Sequence, residues 1–210
     1  MIRELARGQG AYLRALAARE PGSGFGYPQL AWRYGALDAY HSADRNPELM
    51  SEWLAGRLDI GVRDSAWKAA KVAEIDRLLK ARYIPRDRLS ALAFRETLFE
   101  RRPPARTWQG HLISMPLGTA FDTDDGGLVR LILTERSLSL QHPGTPVVLA
   151  AALAYALSGP AGAWVPATIE VFQLRDPDYR RFPAEELMAR WPRLSQLLTW
   201  AEGASQSPAA

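Results

Sequence analysis

The chain has 210 residues, of which 47% are hydrophobic, and this is typical of a folded globular protein rather than of a disordered one. It has no cysteine, which excludes disulfides, thiolate metal sites, cysteine nucleophiles and iron–sulfur clusters. Its three histidines, His41, His111 and His142, are too scattered for a zinc site, so any metal site must use carboxylates. The balance of 26 basic and 23 acidic residues is too even to indicate a nucleic-acid partner by itself.

Apolar residues at three- and four-residue steps predict helices in the first half of the chain. A first helix is expected up to Arg19, followed by a loop over residues 25–40 that is rich in aromatic residues. Asn46 and Pro47 mark the start of a second helix, because asparagine caps helices and proline suits the first helical position. A third helix is expected from Asp64 or Ser65 to Pro85, and a fourth runs from Asp87 through Glu96 and Phe99.

The second half of the chain is predicted to begin with three short strands, over residues 108–115, 117–123 and 128–134. The sequence Asp124-Asp125-Gly126-Gly127 favours a hairpin turn between the last two. The three strands are expected to form an antiparallel meander.

An apolar helix over residues 145–157 is predicted to follow the strands and to be buried on most sides. It is about 12 residues long, against the roughly 20 that a membrane span needs. A fourth strand over residues 167–174 is expected to run parallel to its neighbour, because it follows a helical crossover. One or two helices over residues 183–200 close the fold, and residues 203–210 are expected to be a disordered tail.

The predicted fold class is therefore mixed α/β, with a helical N-terminal lobe (residues 1–86) and an αβββαβ-type mixed sheet core flanked by helices (residues 87–202). This core resembles the PD-(D/E)XK nuclease superfamily, and its spacing is similar to that of the RecB-like branch. In that family an acidic residue precedes the sheet, a glycine and an aspartate end the second strand, and an acid-x-lysine motif lies on the third. Here Glu96 and the segment Gly118-Thr119-Ala120-Phe121-Asp122 match the first two motifs.

The third motif departs from the family pattern at Thr134-Glu135-Arg136-Ser137. If Glu135 is the acid, Ser137 takes the place of the lysine, and if Arg136 replaces the lysine, Thr134 takes the place of the acid. The following helix offers Tyr155 but has Ala151 where the RecB-like branch has glutamine. The departure matters because an arginine, unlike a lysine, cannot give up a proton.

The resemblance implies magnesium at Asp122 and Glu96, with Glu135 and Arg136 completing the catalytic set, if the core is active. We expect instead an altered core that binds nucleic acid or a DNA-processing partner without cutting it, in DNA processing, repair or defence. DNA is the expected ligand, and RNA is a second possibility. An active magnesium-dependent deoxyribonuclease using Glu96, Asp122 and Glu135 is one alternative. A protein-interaction subunit with no nucleic-acid role is another.

Two groups of arginines and one aromatic group are the candidate nucleic-acid contacts. The arginines would hold phosphates at the ends of strands and helices, and the aromatic residues would stack unpaired bases beside Arg33. Solvated loop charges and packing between lobe and core are the structural alternatives. The candidates are Arg101, Arg102, Arg106, Arg175, Arg180, Arg181, Trp32, Arg33 and Tyr34.

Two further expectations concern location and hydrolase chemistry. Charged residues from Arg3 to Glu20 leave no apolar stretch for a secretory signal, so a cytoplasmic and, from the arginine and alanine bias, bacterial protein is expected. The chain has no G-x-S-x-G nucleophile frame, so its sequence gives no support to serine hydrolase chemistry.

Overall fold

A computed structural model describes residues 28–57, 65–90, 92–100, 103–133, 144–159, 164–174 and 179–206 of the chain. The predicted first helix, up to Arg19, lies outside these residues. The N-terminal lobe consists of α1 (Pro28–Ser42), α2 (Pro47–Ala55), α3 (Ser65–Leu78), a π-helical turn (Leu79–Tyr83) and α4 (Ile84–Ser90).

The start of α2 confirms the predicted capping signal. The side chain of Asn46 accepts hydrogen bonds from the backbone N–H groups of Glu48 (2.9 Å) and Leu49 (3.4 Å). Pro47 is the first helical residue, where its missing N–H leaves no partner unsatisfied.

Three local predictions in this lobe are wrong. Most of the expected aromatic loop is the helix α1, in which Tyr34, Leu37 and Tyr40 recur at helical spacing and are buried. Pro85 does not end the third helix, because the π-helical turn widens the backbone just before it. The fourth helix ends at Ser90, whose hydroxyl donates to the carbonyl oxygen of Asp87.

Within the described residues, the main sheet has five strands in the order β1-β4-β5-β6-β7. It comprises β1 (Ala93–Thr97), β4 (Thr119–Thr123), β5 (Gly126–Leu133), β6 (Pro166–Gln173) and β7 (Tyr179–Pro183). All neighbouring strands are antiparallel except β5 and β6. These two strands pair in parallel, and α5 (Thr145–Leu157) lies between them in the chain. The predicted β4–β5 hairpin, the apolar helix and the parallel strand are confirmed.

The predicted meander is wrong in one member. Residues 108–115 do not join the main sheet but form part of a separate hairpin of β2 (Arg106–Trp108) and β3 (His111–Ile113). The strand that pairs with β4 on this side is instead β1, whose residues were predicted to be helical. Glu96 therefore lies on a strand. Strand β7 was not predicted.

Helices cover both faces of the sheet, which confirms the predicted fold class. The N-terminal lobe packs on the face that carries Ile132 and Phe172. The other face carries Ile169 and Val171 and packs against α5 together with α6 (Ala184–Met188) and α7 (Trp191–Gln206). Ten residues of α5 are buried, as its apolar composition predicts. Residues 203–206 belong to α7, so the predicted tail is wrong there, and residues 207–210 lie outside the described part.

None of the helices in the described ranges combines the length and the apolar character needed to cross a membrane.

Candidate functional site

The predicted acidic pair lies on neighbouring strands with an arginine between the two carboxylates. Glu96 is on β1 and Asp122 is on β4, and Arg95 lies at a bulge in the pairing of these strands. Arg95 Nη1 is 3.3 Å from Asp122 Oδ1, and Arg95 Nε is 3.8 Å from Glu96 Oε1. Trp164 Nε1 also donates to Asp122 Oδ1 over 3.2 Å. The aspartate is thus already paired with a cation and a donor.

Asp122 and the helix that precedes the sheet, α4, lie on opposite faces of the sheet. Phe121 faces the N-terminal lobe, where its ring contacts His41 and the guanidinium of Arg130. Asp122 must point the opposite way, because successive strand residues alternate between faces. Helix α4 carries its buried carboxylate, Asp87, to the lobe side. Asp87, the buried acid on the helix that precedes the sheet, and Asp122 therefore do not converge, whereas the family pattern brings an acid before the sheet, here assigned to Glu96, close to the strand aspartate.

The described residues contain no group of three His, Asp or Glu side chains that could hold a metal ion. Magnesium prefers several hard oxygen ligands around one point, and Glu96 and Asp122 with Arg95 between them do not fit that requirement. The other two predicted members of the catalytic set, Glu135 and Arg136, lie outside the described residues.

The most strongly buried charges form a cluster where the N-terminal lobe meets the sheet. Arg130, on β5, donates through Nε to Glu170 Oε1 (2.5 Å) and through Nη1 to Asp87 Oδ1 (2.8 Å). Nη1 also lies 3.2 Å from the hydroxyl oxygen of Tyr83. Asp87 and Glu170 are 0% and 2% exposed, and Arg130 is 1% exposed. We call these residues, together with the partners described next, the Arg130 cluster.

Two arginines and a histidine complete the Arg130 cluster. Arg45 Nε donates to Asp87 Oδ2 (3.0 Å), and Arg181 Nε donates to Glu170 Oε2 (2.9 Å). His41 Nε2 lies 2.8 Å from the hydroxyl oxygen of Tyr83, and its ring stacks on Phe94. Each carboxylate is held by two guanidinium groups, so neither is available to a metal ion. Of its members only Arg181 was among the predicted site residues, because the others come together only in the folded chain, from α1, the α1–α2 loop, the π-helical turn, α4, β5 and β6.

Burial sets the protonation of this cluster. The pKa of His41 is lowered to about 4, because desolvation penalises the imidazolium more than the attraction of Asp87 favours it. Desolvation also raises the pKa of Tyr83 far above its usual value. Both side chains are therefore neutral at pH 7.

Two of the predicted nucleic-acid contacts, Arg33 and Tyr34, attach α1 to the sheet. Arg33 is 6% exposed and donates through Nη1 to the carbonyl oxygen of Ile132 (3.1 Å). Tyr34 is 3% exposed, and its hydroxyl accepts from the backbone N–H of Ile132 (2.9 Å). Arg33 therefore lies in a buried position of a helix and not in the expected loop.

The other predicted arginines are dispersed. Arg106 donates to the carbonyl oxygen of Tyr155 (2.9 Å) and covers the ring of that tyrosine. Arg180 and Arg181 are exposed on β7, where successive side chains point to opposite faces. A further exposed arginine that was not among the candidates, Arg86 on α4, stacks over the ring of Tyr179 at 3.8 Å. The remaining three, Arg101, Arg102 and Arg175, lie outside the described residues.

Trp32 and Tyr34 line an aromatic cleft of about 480 Å³ in the N-terminal lobe. Trp53, from α2, and Phe99, which follows β1, form further walls of this aromatic cleft, and the rings of Tyr34 and Phe99 stack at 4.8 Å. Arg57 lies over the ring of Trp53 at 4.4 Å. The cleft therefore combines flat apolar surfaces with one guanidinium and one carboxylate, that of Asp38.

Two polar atoms in the walls of the aromatic cleft are buried without a hydrogen-bond partner among the described residues. They are Nε of Arg57 and Oγ1 of Thr97. Buried polar groups are normally satisfied, so each such atom requires an explanation. Both atoms are shielded from solvent, so a ligand in the cleft would meet them only after a rotation of the Arg57 and Thr97 side chains. Local sequence patterns do not reveal Trp53, Arg57, Thr97 and Phe99 as one site, because three separate segments of the chain build the cleft.

No protein-family model matches the chain, and no curated protein has a sequence significantly similar to it.

Proposed function

We propose that this protein binds nucleic acid through its N-terminal lobe, and that its nuclease-like core does not cleave what it binds. The aromatic cleft is the observation that carries the proposal. Bases of any sequence stack on aromatic rings, at a gain of about 1–3 kcal/mol for each base. An unpaired base fits the flat walls formed by Trp32, Trp53 and Phe99.

The polar groups of the aromatic cleft suit the rest of a nucleotide. The guanidinium of Arg57 can donate to a phosphate oxygen, and a rotation of the Thr97 side chain would let its hydroxyl bond to a base edge or a sugar. A base inside a duplex is stacked on both faces and cannot enter such a cleft. We therefore expect single-stranded DNA or RNA to bind more tightly than duplex.

The proposal that the core does not cleave rests on the carboxylates. Asp122 is paired with Arg95 and Trp164, while Asp87 and Glu170 are bonded within the Arg130 cluster. The chain order of β4, β5, α5 and β6, in which α5 connects the parallel strands β5 and β6, supports the resemblance to a PD-(D/E)XK core. On this proposal the protein acts in the bacterial cytoplasm, in DNA processing, repair or defence.

The test is fluorescence anisotropy of labelled 20-nucleotide single-stranded DNA, the matching duplex and the matching RNA, titrated with the full chain. Magnesium is present throughout, measurements are made at low and near-physiological salt, and the nucleic acid is then run on a gel. We expect salt-dependent binding that favours single strands and leaves them intact. Absence of binding to all three at low salt would overturn the proposal in favour of the protein-interaction alternative.

A substitution in the aromatic cleft sharpens this test. Trp32→Leu removes one stacking surface and is expected to weaken single-strand binding about 5- to 100-fold. Trp200→Leu is the matched control, because Trp200 is half-buried on α7, on the other side of the sheet. Equal weakening by both variants would contradict a role of the cleft. Cleavage that disappears in Asp122→Ala would establish the nuclease alternative.

A further inference from the structure

His111, on β3, links two polar residues of α7 beside an open cavity. Its Nδ1 lies 3.0 Å from Oε1 of Glu202, and its Nε2 lies 3.2 Å from Oγ of Ser195. Ser195 and Glu202 are seven residues apart, which places them on one side of the helix, two turns from each other. The imidazole is 8% exposed and bridges the two side chains.

The chemistry of the carboxylate fixes the direction of one of these hydrogen bonds. An ionised carboxylate only accepts, so Nδ1 of His111 must carry the proton that is donated to Glu202. In the tautomer with its proton on Nδ1 alone, Nε2 is an acceptor to which the hydroxyl of Ser195 donates. This is the order of contacts in which a histidine takes a proton from a serine while a carboxylate orients the ring.

The hydroxyl-bearing residue faces a space in which a substrate can bind. Ser195 lines a cavity of about 770 Å³. Met188, Trp191 and Trp200 give this cavity apolar and aromatic walls, and Gln109 and Gln196 add side-chain amides. Gln109 lies in the β2–β3 turn, where it and Gly110 both have positive φ angles (48° and 83°), as a tight hairpin turn requires.

We propose that this cavity is a second site, which hydrolyses carboxylic esters with a small apolar or aryl group, with Ser195 as nucleophile and His111 as general base. Glu202 is a positioning residue, because it acts through the imidazole. This inference is independent of the proposed nucleic-acid function, since the aromatic cleft lies on the opposite side of the sheet.

The reaction follows from the hydrogen bonds. Oγ of Ser195 bonds to the carbonyl carbon of the ester as its proton passes to Nε2 of His111. The C–O bond to the alcohol then breaks, and the alkoxide leaves with that proton as the free alcohol. Water next attacks the acyl-serine and loses a proton to His111, and the carboxylic acid departs as Ser195 regains its proton. The side-chain amides of Gln109 and Gln196 and the hydroxyl of Thr199 are donors on the cavity wall that can stabilise the oxyanion.

The experiment uses p-nitrophenyl butyrate as substrate and a fluorophosphonate probe as a covalent label, both with the full chain. We expect hydrolysis above background, and a mass increase on the peptide that contains Ser195. Ser195→Ala should abolish both, whereas Ser158→Ala, at the end of α5, should change neither. Circular dichroism establishes that each variant is folded.

Glu202→Gln provides a readout that a merely structural link would not affect. The loss of the carboxylate removes the group that favours the imidazolium, so the rate should fall on the order of 10²-fold. The fall should be in kcat, with KM close to that of the native chain, because Glu202 is not among the residues that line the cavity. Hydrolysis that is unchanged in Ser195→Ala, or the absence of both labelling and hydrolysis in the native chain, would overturn the proposal.

Discussion

The guanidinium of Arg130 and the carboxylate of Glu170 lie opposite each other on the parallel strands β5 and β6, joined by a hydrogen bond of 2.5 Å. The same guanidinium reaches Asp87 on α4, so one cation connects the sheet to the N-terminal lobe. Two buried carboxylates would repel each other and lose their hydration. The fold tolerates them because Arg130 supplies the compensating charge and the donors.

Replacement of Arg130 by methionine should therefore destabilise the protein strongly. The variant leaves two carboxylates in a buried position without their common partner, and such losses cost about 3–5 kcal/mol. The free energy of unfolding from urea titration measures the effect. Arg193→Met, on the exposed side of α7, is the control and should change stability by less than about 0.5 kcal/mol. A loss below about 1 kcal/mol for Arg130→Met would contradict the central role of this residue.

Stability should also fall as the pH is lowered from about 6.5 to about 4. His41 has a folded-state pKa of about 4, against an ordinary value of 6.5, so the unfolded chain binds more protons between these values. The difference corresponds to as much as about 3 kcal/mol that is present above pH 6.5 and is lost progressively toward pH 4. Urea midpoints from pH 4 to 7.5 measure this dependence.

His41→Gln provides the comparison for this pH dependence. Glutamine retains a polar group near Tyr83 but does not titrate, so the stability of the variant should vary less with pH over the same interval. The other charged groups that face this position, Asp87, Arg45 and Arg130, are unchanged in the variant. An equally steep loss of stability in both proteins would assign the pH dependence to groups other than His41.

Gly118 has a packing role that is separate from its place in the family motif. A Cβ at this position would lie 1.9 Å from the carbonyl oxygen of Arg130, which is backbone and cannot move aside. Gly118→Ala is expected to lower the free energy of unfolding by about 1–3 kcal/mol. Gly203→Ala is the control, because a Cβ added at this position in α7 would meet no atom within 4 Å beyond its chain neighbours and the backbone of its own helix, and this variant should be neutral or slightly stabilising. Equal midpoints for the two variants in thermal unfolding would contradict the close approach.

Local signals in the sequence were sufficient for the elements whose partners are near in the chain. The Asp-Asp-Gly-Gly turn defines the β4–β5 hairpin, and the apolar run of α5 defines the crossover that makes β6 parallel to β5. β1 was missed because its residues also fit a helical period, and only its pairing with β4 makes it a strand. β7 has a single buried residue, Phe182, and its charged positions gave no alternating pattern.

The candidate sites are formed by residues that are far apart in the sequence, so local sequence patterns do not predict them. Trp32 and Tyr34 are recognisable as aromatic candidates in the sequence, but only the folded chain shows that they line a cleft with Trp53 and Phe99. Arg33 was given a role in binding phosphate, and it instead bonds to a strand 99 residues away. His111 reaches Ser195 and Glu202 across more than eighty residues, so no local spacing in the sequence relates them.

Arg57 offers a specific test of how the aromatic cleft holds a nucleotide. Its guanidinium lies over Trp53, and its Nε is buried without a partner among the described residues. If this group contacts a phosphate, Arg57→Met should lower the slope of log affinity against log salt by about one for single-stranded DNA. Methionine keeps an apolar contact with Trp53, so stacking is largely preserved. Arg77→Met, exposed on α3, is the control and should leave the slope unchanged. Weaker binding of Arg57→Met with an unaltered slope would show that Arg57 supports the shape of the cleft and does not contact a phosphate.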